Sequence, residues 1–233
     1  MKRVIYLLIC IFSSVILKAQ EEHLKPTIID NTDPTRWLYV SPAPEPGIRG
    51  DQYLFETWKK VELVFAGGHS RNDLYVNLDL ENQHLEISTE EGIKVIPNGM
   101  VHNFWYSEQG DTIQFVSTNK MDLNCTSEGV AYVEVKYASE TTQLLILHSL
   151  DVKKPSYNER LGIGDNNIKR YKESHFAVIR NNSCTLLSGG SKKIQKQLVD
   201  TLRNKRVNNL VDRNNLKLKD EEDLTRLFEL IQA

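Results

Sequence analysis

Between residues 50 and 187, apolar side chains fall at every second position over many short stretches, the repeat of a strand with one face buried. Val61, Leu63 and Phe65 run into Gly67 and Gly68. Leu74, Val76, Leu78 and Leu80 alternate with Tyr75, Asn77 and Asp79, and the polar run 81–83 turns the chain into Leu85 and Ile87. Further strands are predicted over 93–96, 101–106, 112–117, 130–137, 143–150, 175–180 and 183–187, with tight turns at 108–111 and at Asn181-Asn182, residues that tolerate positive φ. About ten short strands at this spacing predict a mainly β fold, an antiparallel sandwich, roll or barrel-like sheet.

The period turns helical after residue 190. Ser191 stands as the cap of a segment in which Ile194, Leu198 and Leu202 recur every four residues, and Asn208-Asn209 interrupts the pattern. Asp220 with Asp223 resembles a capping box for a helix carrying Leu224, Leu227, Phe228 and Ile231. Both stripes are expected to cover an open edge or face of the sheet. Residues 151–170 break the strand rhythm, being charged and marked by Pro155, Gly162 and Gly164. They are read as an exposed loop, disordered or a simple excursion in preference to a functional one.

Ahead of the sheet, Lys2 and Arg3 precede an apolar stretch over 4–17 and the sequence Lys18-Ala19-Gln20. A span needs about 20 apolar residues, so 1–20 is read as a cleaved secretory signal, which predicts export to the periplasm or surface of a Gram-negative cell and a mature chain without a transmembrane helix. Residues 21–49 form an extended lead-in in which Pro42, Pro44 and Pro46 remove sheet donors. Trp37, Leu38, Tyr39 and Val40 interrupt it as an apolar patch, expected to anchor on the core, and the first three are the candidate contact for a partner. The organisation is thus 1–20 signal, 21–49 lead-in, 50–190 antiparallel β domain and 191–233 helices packed on it.

Charge narrows the partners. With 29 Lys+Arg against 31 Asp+Glu the formal net charge is -2, which offers no general attraction to phosphate backbones, so nucleic acid is not an expected partner. Cys125 and Cys184 follow the signal and could pair in an oxidising compartment, but two small buried side chains is the preferred reading. The six histidines form no close pair of H-x-x-x-H type; His69 with Asp73 is a weak cation pair, and no metal or cofactor is expected. No G-x-S-x-G occurs, Ser117 to Lys120 fits S-x-x-K only as a turn, and Ser188 to Lys193 lacks the phosphate-loop spacing. Glu56, Glu62, Asp73, Asp79 and Glu86 lie near strands and are expected on outward faces, and the aromatics Trp58, Phe104, Trp105, Tyr106, Tyr132 and Tyr137 are expected in the core. No catalytic residue is assigned.

Tyr53, Leu54, Phe55 and Trp58, followed by Val61 to Phe65, a Gly-Gly turn and Leu74 to Leu80, carry a resemblance to a group of uncharacterised exported β-rich proteins of Bacteroidetes type with a Y-L-F-x-x-W opening. The chain departs from them at Lys60-Val61, where a glycine is common. The resemblance implies the same fold and location and transfers no catalytic residues. The expected function is a non-catalytic envelope binding or interaction module for an envelope protein or small ligand, with a secreted hydrolase using a carboxylate or His site as the alternative.

Overall fold

The alternating pattern folds into one twelve-stranded sheet with three helices after it. The computed structural model describes residues 39–40, 48–121, 129–157, 161, 163–165 and 167–232. The strands are β1 (Tyr39–Val40), β2 (Ile48–Arg49), β3 (Lys59–Phe65), β4 (Ser70–Asp79), β5 (His84–Thr89) and β6 (Gly92–Ile96), then β7 (Val101–Glu108), β8 (Asp111–Ser117), β9 (Tyr132–Ala138), β10 (Thr142–Lys153), β11 (Ile168–Arg180) and β12 (Ser183–Leu187). Their order is β1-β6-β5-β4-β3-β7-β8-β9-β10-β11-β12, so two meanders meet where β3 pairs antiparallel with β7. β2 runs parallel to β11. The outermost strands of this order do not pair, so the sheet is not a closed barrel.

The sheet curls, bringing the β4–β5 turn to the start of β9, where the Ala131 amide donates to Gln83 Oε1 at 3.1 Å. Inside the curl Phe104 stacks on Phe115 at 4.7 Å, with Phe55 and Tyr132 edge-on to the pair. The tight turns use the predicted residues: Asn181 and Asn182 both have positive φ, 47° and 63°.

The helices are α1 (Ser191–Leu202), α2 (Arg206–Asn214) and α3 (Glu221–Gln232). Ile194, Leu198 and Leu202 of α1, Val207 and Val211 of α2, and Leu224, Leu227 and Phe228 of α3 form one cluster with Leu144, Val178 and Leu187 of the sheet. The helices therefore cover one face of β10–β12, as their stripes predict. Two details differ. Gly190, not Ser191, is the N-cap of α1, because its extended backbone leads the chain straight into the first turn. Asn208 and Asn209 do not interrupt the helical region; they lie on the exposed side of α2, whose buried side is Val207 and Val211. The α3 cap is as predicted, with Asp220 Oδ1 accepting from the Asp223 amide at 3.1 Å.

Candidate functional site

β10 and β11 pair in unbroken register from Thr142 opposite Arg180 to Lys153 opposite Lys169. β9 accompanies β10 only as far as Leu147, and β12 accompanies β11 only from Phe176. Beyond those limits the two strands run on as a ribbon, an arm of six residue pairs, His148 opposite Ser174 to Lys153 opposite Lys169, roughly 16 Å long. The outer edge of β11 is partly covered, since β2 pairs with Ile168 and Lys169, and Lys172 Nζ reaches Asp51 Oδ2 at 3.5 Å. Among the described strands none pairs with β10 beyond Leu147 on its other side.

The tip of the arm is held by local bonds. Ser156 N donates to the Asp165 carbonyl at 2.9 Å, and the Asn167 amide and side chain donate to Asp165 Oδ1 at 2.9 and 2.7 Å. Lys169, followed by these Asn167 donors, holds the Asp165 carboxyl well below the usual carboxylate range. Gly164 has φ +107° with no room for a Cβ against the Ser156 carbonyl, so only glycine fits there. Six large hydrophobic side chains are exposed among the described residues, and five of them sit on this arm: Val152, Tyr157, Leu161, Ile163 and Tyr171. Leu161 and Ile163 are 66% and 61% exposed. Lys153 Nζ lies 4.7 Å from the centre of the Tyr171 ring, a cation–π contact.

This corrects the reading of 151–170 as a loop at both of its ends, while the described residues 154–157 are exposed and outside any strand, as expected. Residues 151–153 and 168–170 are strand. They show no alternation because the ribbon is covered only in part, by Glu81 and Gly50 at Arg170, while Val152, Lys153 and Tyr171 stay exposed, so no regular set of positions has to be apolar.

Two histidine–carboxylate groups also come together. Asp79, His84 and Glu86 flank the β4–β5 turn with ligand atoms all within 4.8 Å. Asp79 and Glu86 are 0% and 1% exposed, which corrects their expected outward placement: Gln52 and Tyr53, from the segment before β3, and Asn82 of the turn close over them. Asp79 Oδ1 accepts from the amides of Glu81 and Asn82, and Oδ2 from Gln52 Nε2 and Asn82 Nδ2, all at 2.8–2.9 Å. Tyr53 Oη donates to Glu86 Oε2 at 2.6 Å, and His84 Nε2 lies 3.2 Å from Glu86 Oε1. Burial, and then this bond to Glu86, pushes the Tyr53 hydroxyl pKa up. The residue types suit a divalent cation, but four donors already saturate Asp79, and the set works as a brace that fixes the turn.

The second group joins three strands. His148 Nδ1 is 3.1 Å from Ser174 Oγ, and its Nε2 is 2.8 Å from Glu134 Oε2. Lys136 pairs with the other Glu134 oxygen and with Glu221 of α3. Burial alone would raise the Glu134 pKa, but the bonds from His148 and Lys136 outweigh it and hold the carboxyl below its usual range. Burial alone would lower the Lys136 pKa, but its bonds to Glu134 and Glu221 outweigh it and raise it. Hydroxyl, imidazole and carboxylate stand in the order that activates a serine. Ser174 nevertheless sits mid-strand, not at a turn or helix start that would aim backbone N–H groups at an oxyanion. Neither group was legible in the sequence, because partners 5 to 40 residues apart meet only across paired strands.

Other candidates resolve simply. Trp37 and Leu38 lie outside the described residues, and of Tyr39 only the backbone, as part of β1, is described. The signal and most of the lead-in also lie outside them. Asp73 is held by Arg71, two bonds of 2.8 Å that lower its carboxyl pKa. Ser117 caps a single 3-10 turn, Thr118–Lys120. Cys184 is disulfide-bonded, where an unpaired buried thiol was the preferred reading. Phe104, Tyr106 and Tyr132 are core as expected, while Trp58, Trp105 and Tyr137 are half-buried. No helix among the described residues is long and apolar enough to cross a membrane. No family model, no curated protein and no solved structure matches the chain.

Proposed function

We propose that the chain is an exported cell-envelope protein acting as a non-catalytic binding module, with the β10–β11 arm as the surface that seats a partner protein. The concentration of exposed apolar side chains on the arm carries this reading, since such patches mark interaction sites on otherwise polar surfaces. The unaccompanied edge of β10 offers backbone groups for an added strand, while Lys153 and Lys154 beside it guard against indiscriminate pairing. The signal-like 1–20 and the disulfide-bonded Cys184 support an oxidising compartment outside the cytoplasm.

A photo-crosslinking residue placed at Ile163 in intact producing cells is expected to give a discrete higher-mass adduct, and the same residue at the exposed Glu90 turn is not. Equal labelling at both positions, or none at either, would count against the arm. The Ser174–His148–Glu134 relay favours a secreted hydrolase as the second reading. Turnover in an ester and amide hydrolase screen that disappears in Ser174→Ala would establish it over the binding module.

A further inference from the structure

A cavity of about 300 Å³ lies on the helix side of the sheet, away from the arm, between the ends of β9–β11 and the last turns of α1 and α3. Leu202, Phe228 and Ile231 line one part of it, and Tyr137, Ser139 and Arg180 another. The register explains the convergence. Leu144 pairs with both Tyr137 and Val178, and Thr142, two residues back on the same face, pairs with Arg180. Tyr137 and Arg180 therefore share the face that the helices cover.

Both polar groups are left with unused capacity. Tyr137 Oη is buried with no hydrogen-bond partner among the described residues, although its ring is packed against Phe228 at 5.5 Å. Leaving such a hydroxyl unpaired is costly, so it is rarely retained without a use. Arg180 is partly buried and donates from Nη1 to the Thr201 carbonyl at 3.3 Å, but it forms no ion pair among the described residues. An unpaired guanidinium presents a fork that fits a carboxylate. A cation, an orphan hydroxyl and an apolar floor in one small cavity describe the complement of an amphiphilic acid.

We propose that this cavity binds a small amphiphilic carboxylate, its head on Arg180 and Tyr137 Oη and its tail across Leu202, Phe228 and Ile231. The test is calorimetric titration of the full chain with hexanoate, against hexanol and inorganic phosphate as partial mimics. Saturable hexanoate binding is expected, weakened about tenfold or more by Arg180→Gln and by replacing hexanoate with hexanol. Tyr137→Phe provides the arm that does not depend on folding, because removing an orphan hydroxyl should leave the melting temperature of the ligand-free protein unchanged or higher while weakening hexanoate several-fold. Absence of saturable binding, phosphate binding as tightly as hexanoate, or equal hexanoate affinity in wild type and both variants would each overturn the proposal.

Discussion

The two ends of the β10–β11 hairpin share one ladder and one register yet live in different surroundings. At the inner end Leu144, Leu145, Ile146 and Leu147 are all buried: Leu144 packs under the helices, and on the opposite face Leu145 and Leu147 pack with Val133, Ala177, Met121 and Val130. At the outer end Val152 and Tyr171 are exposed, although they belong to the same strands and the same unbroken pairing. A continuous apolar run thus records how many faces are covered, and not whether a strand is present. The exposure of these apolar residues on the outer end is the observation on which the proposed contact surface rests.

The comparison can be broken from either side. The largest effect is expected at the inner end, where Leu198→Ala empties a fully buried site between α1 and the sheet. Chemical denaturation should show a loss of about 2–5 kcal/mol, and a loss well below 1 kcal/mol would mean the helices are a loose appendage. Next comes the polar tie between β9 and α3. Glu134→Gln weakens the bonds from His148 and Lys136 and should cost about 1–3 kcal/mol at neutral pH. The folded-state pKa of Glu134 is depressed, so its contribution is present above the ordinary carboxylate range and lost as pH falls through the lower folded value. Wild type and variant should therefore converge in stability on acidification; a gap that stays constant with pH would show that the charge is not what matters.

At the arm, effects on stability should be small and local. Gly164→Ala forces a side chain into a positive-φ position against Ser156. A strain of about 1–3 kcal/mol confined to the tip should speed proteolytic cleavage there without moving the global melt. A global loss would instead show that the tip is tied to the core. The smallest stability change, within about 0.5 kcal/mol, is expected for Tyr157→Ser combined with Ile163→Ser, while a cross-link introduced at Val152 should lose its adduct. An adduct that survives the double substitution would remove these two side chains from the contact.

Sequence alone determined most of the strands, the Asn181-Asn182 turn, the α3 cap and the stripes of the first and last helices, because these depend on local backbone preference and on the period of one buried face. It extended the loop over 151–153 and 168–170, which are strand, because a strand covered only in part carries no clear period. It placed Asp79 and Glu86 outside, because an alternating pattern says which positions share a face but not that a distant segment, here Gln52 and Tyr53, covers that face. The Ser174–His148–Glu134 contact and the placing of Tyr137 and Arg180 on one cavity were decided only by tertiary structure. Each joins residues from different strands, and what brings them within reach is the register of the pairing, a property of the whole sheet and not of any segment in it.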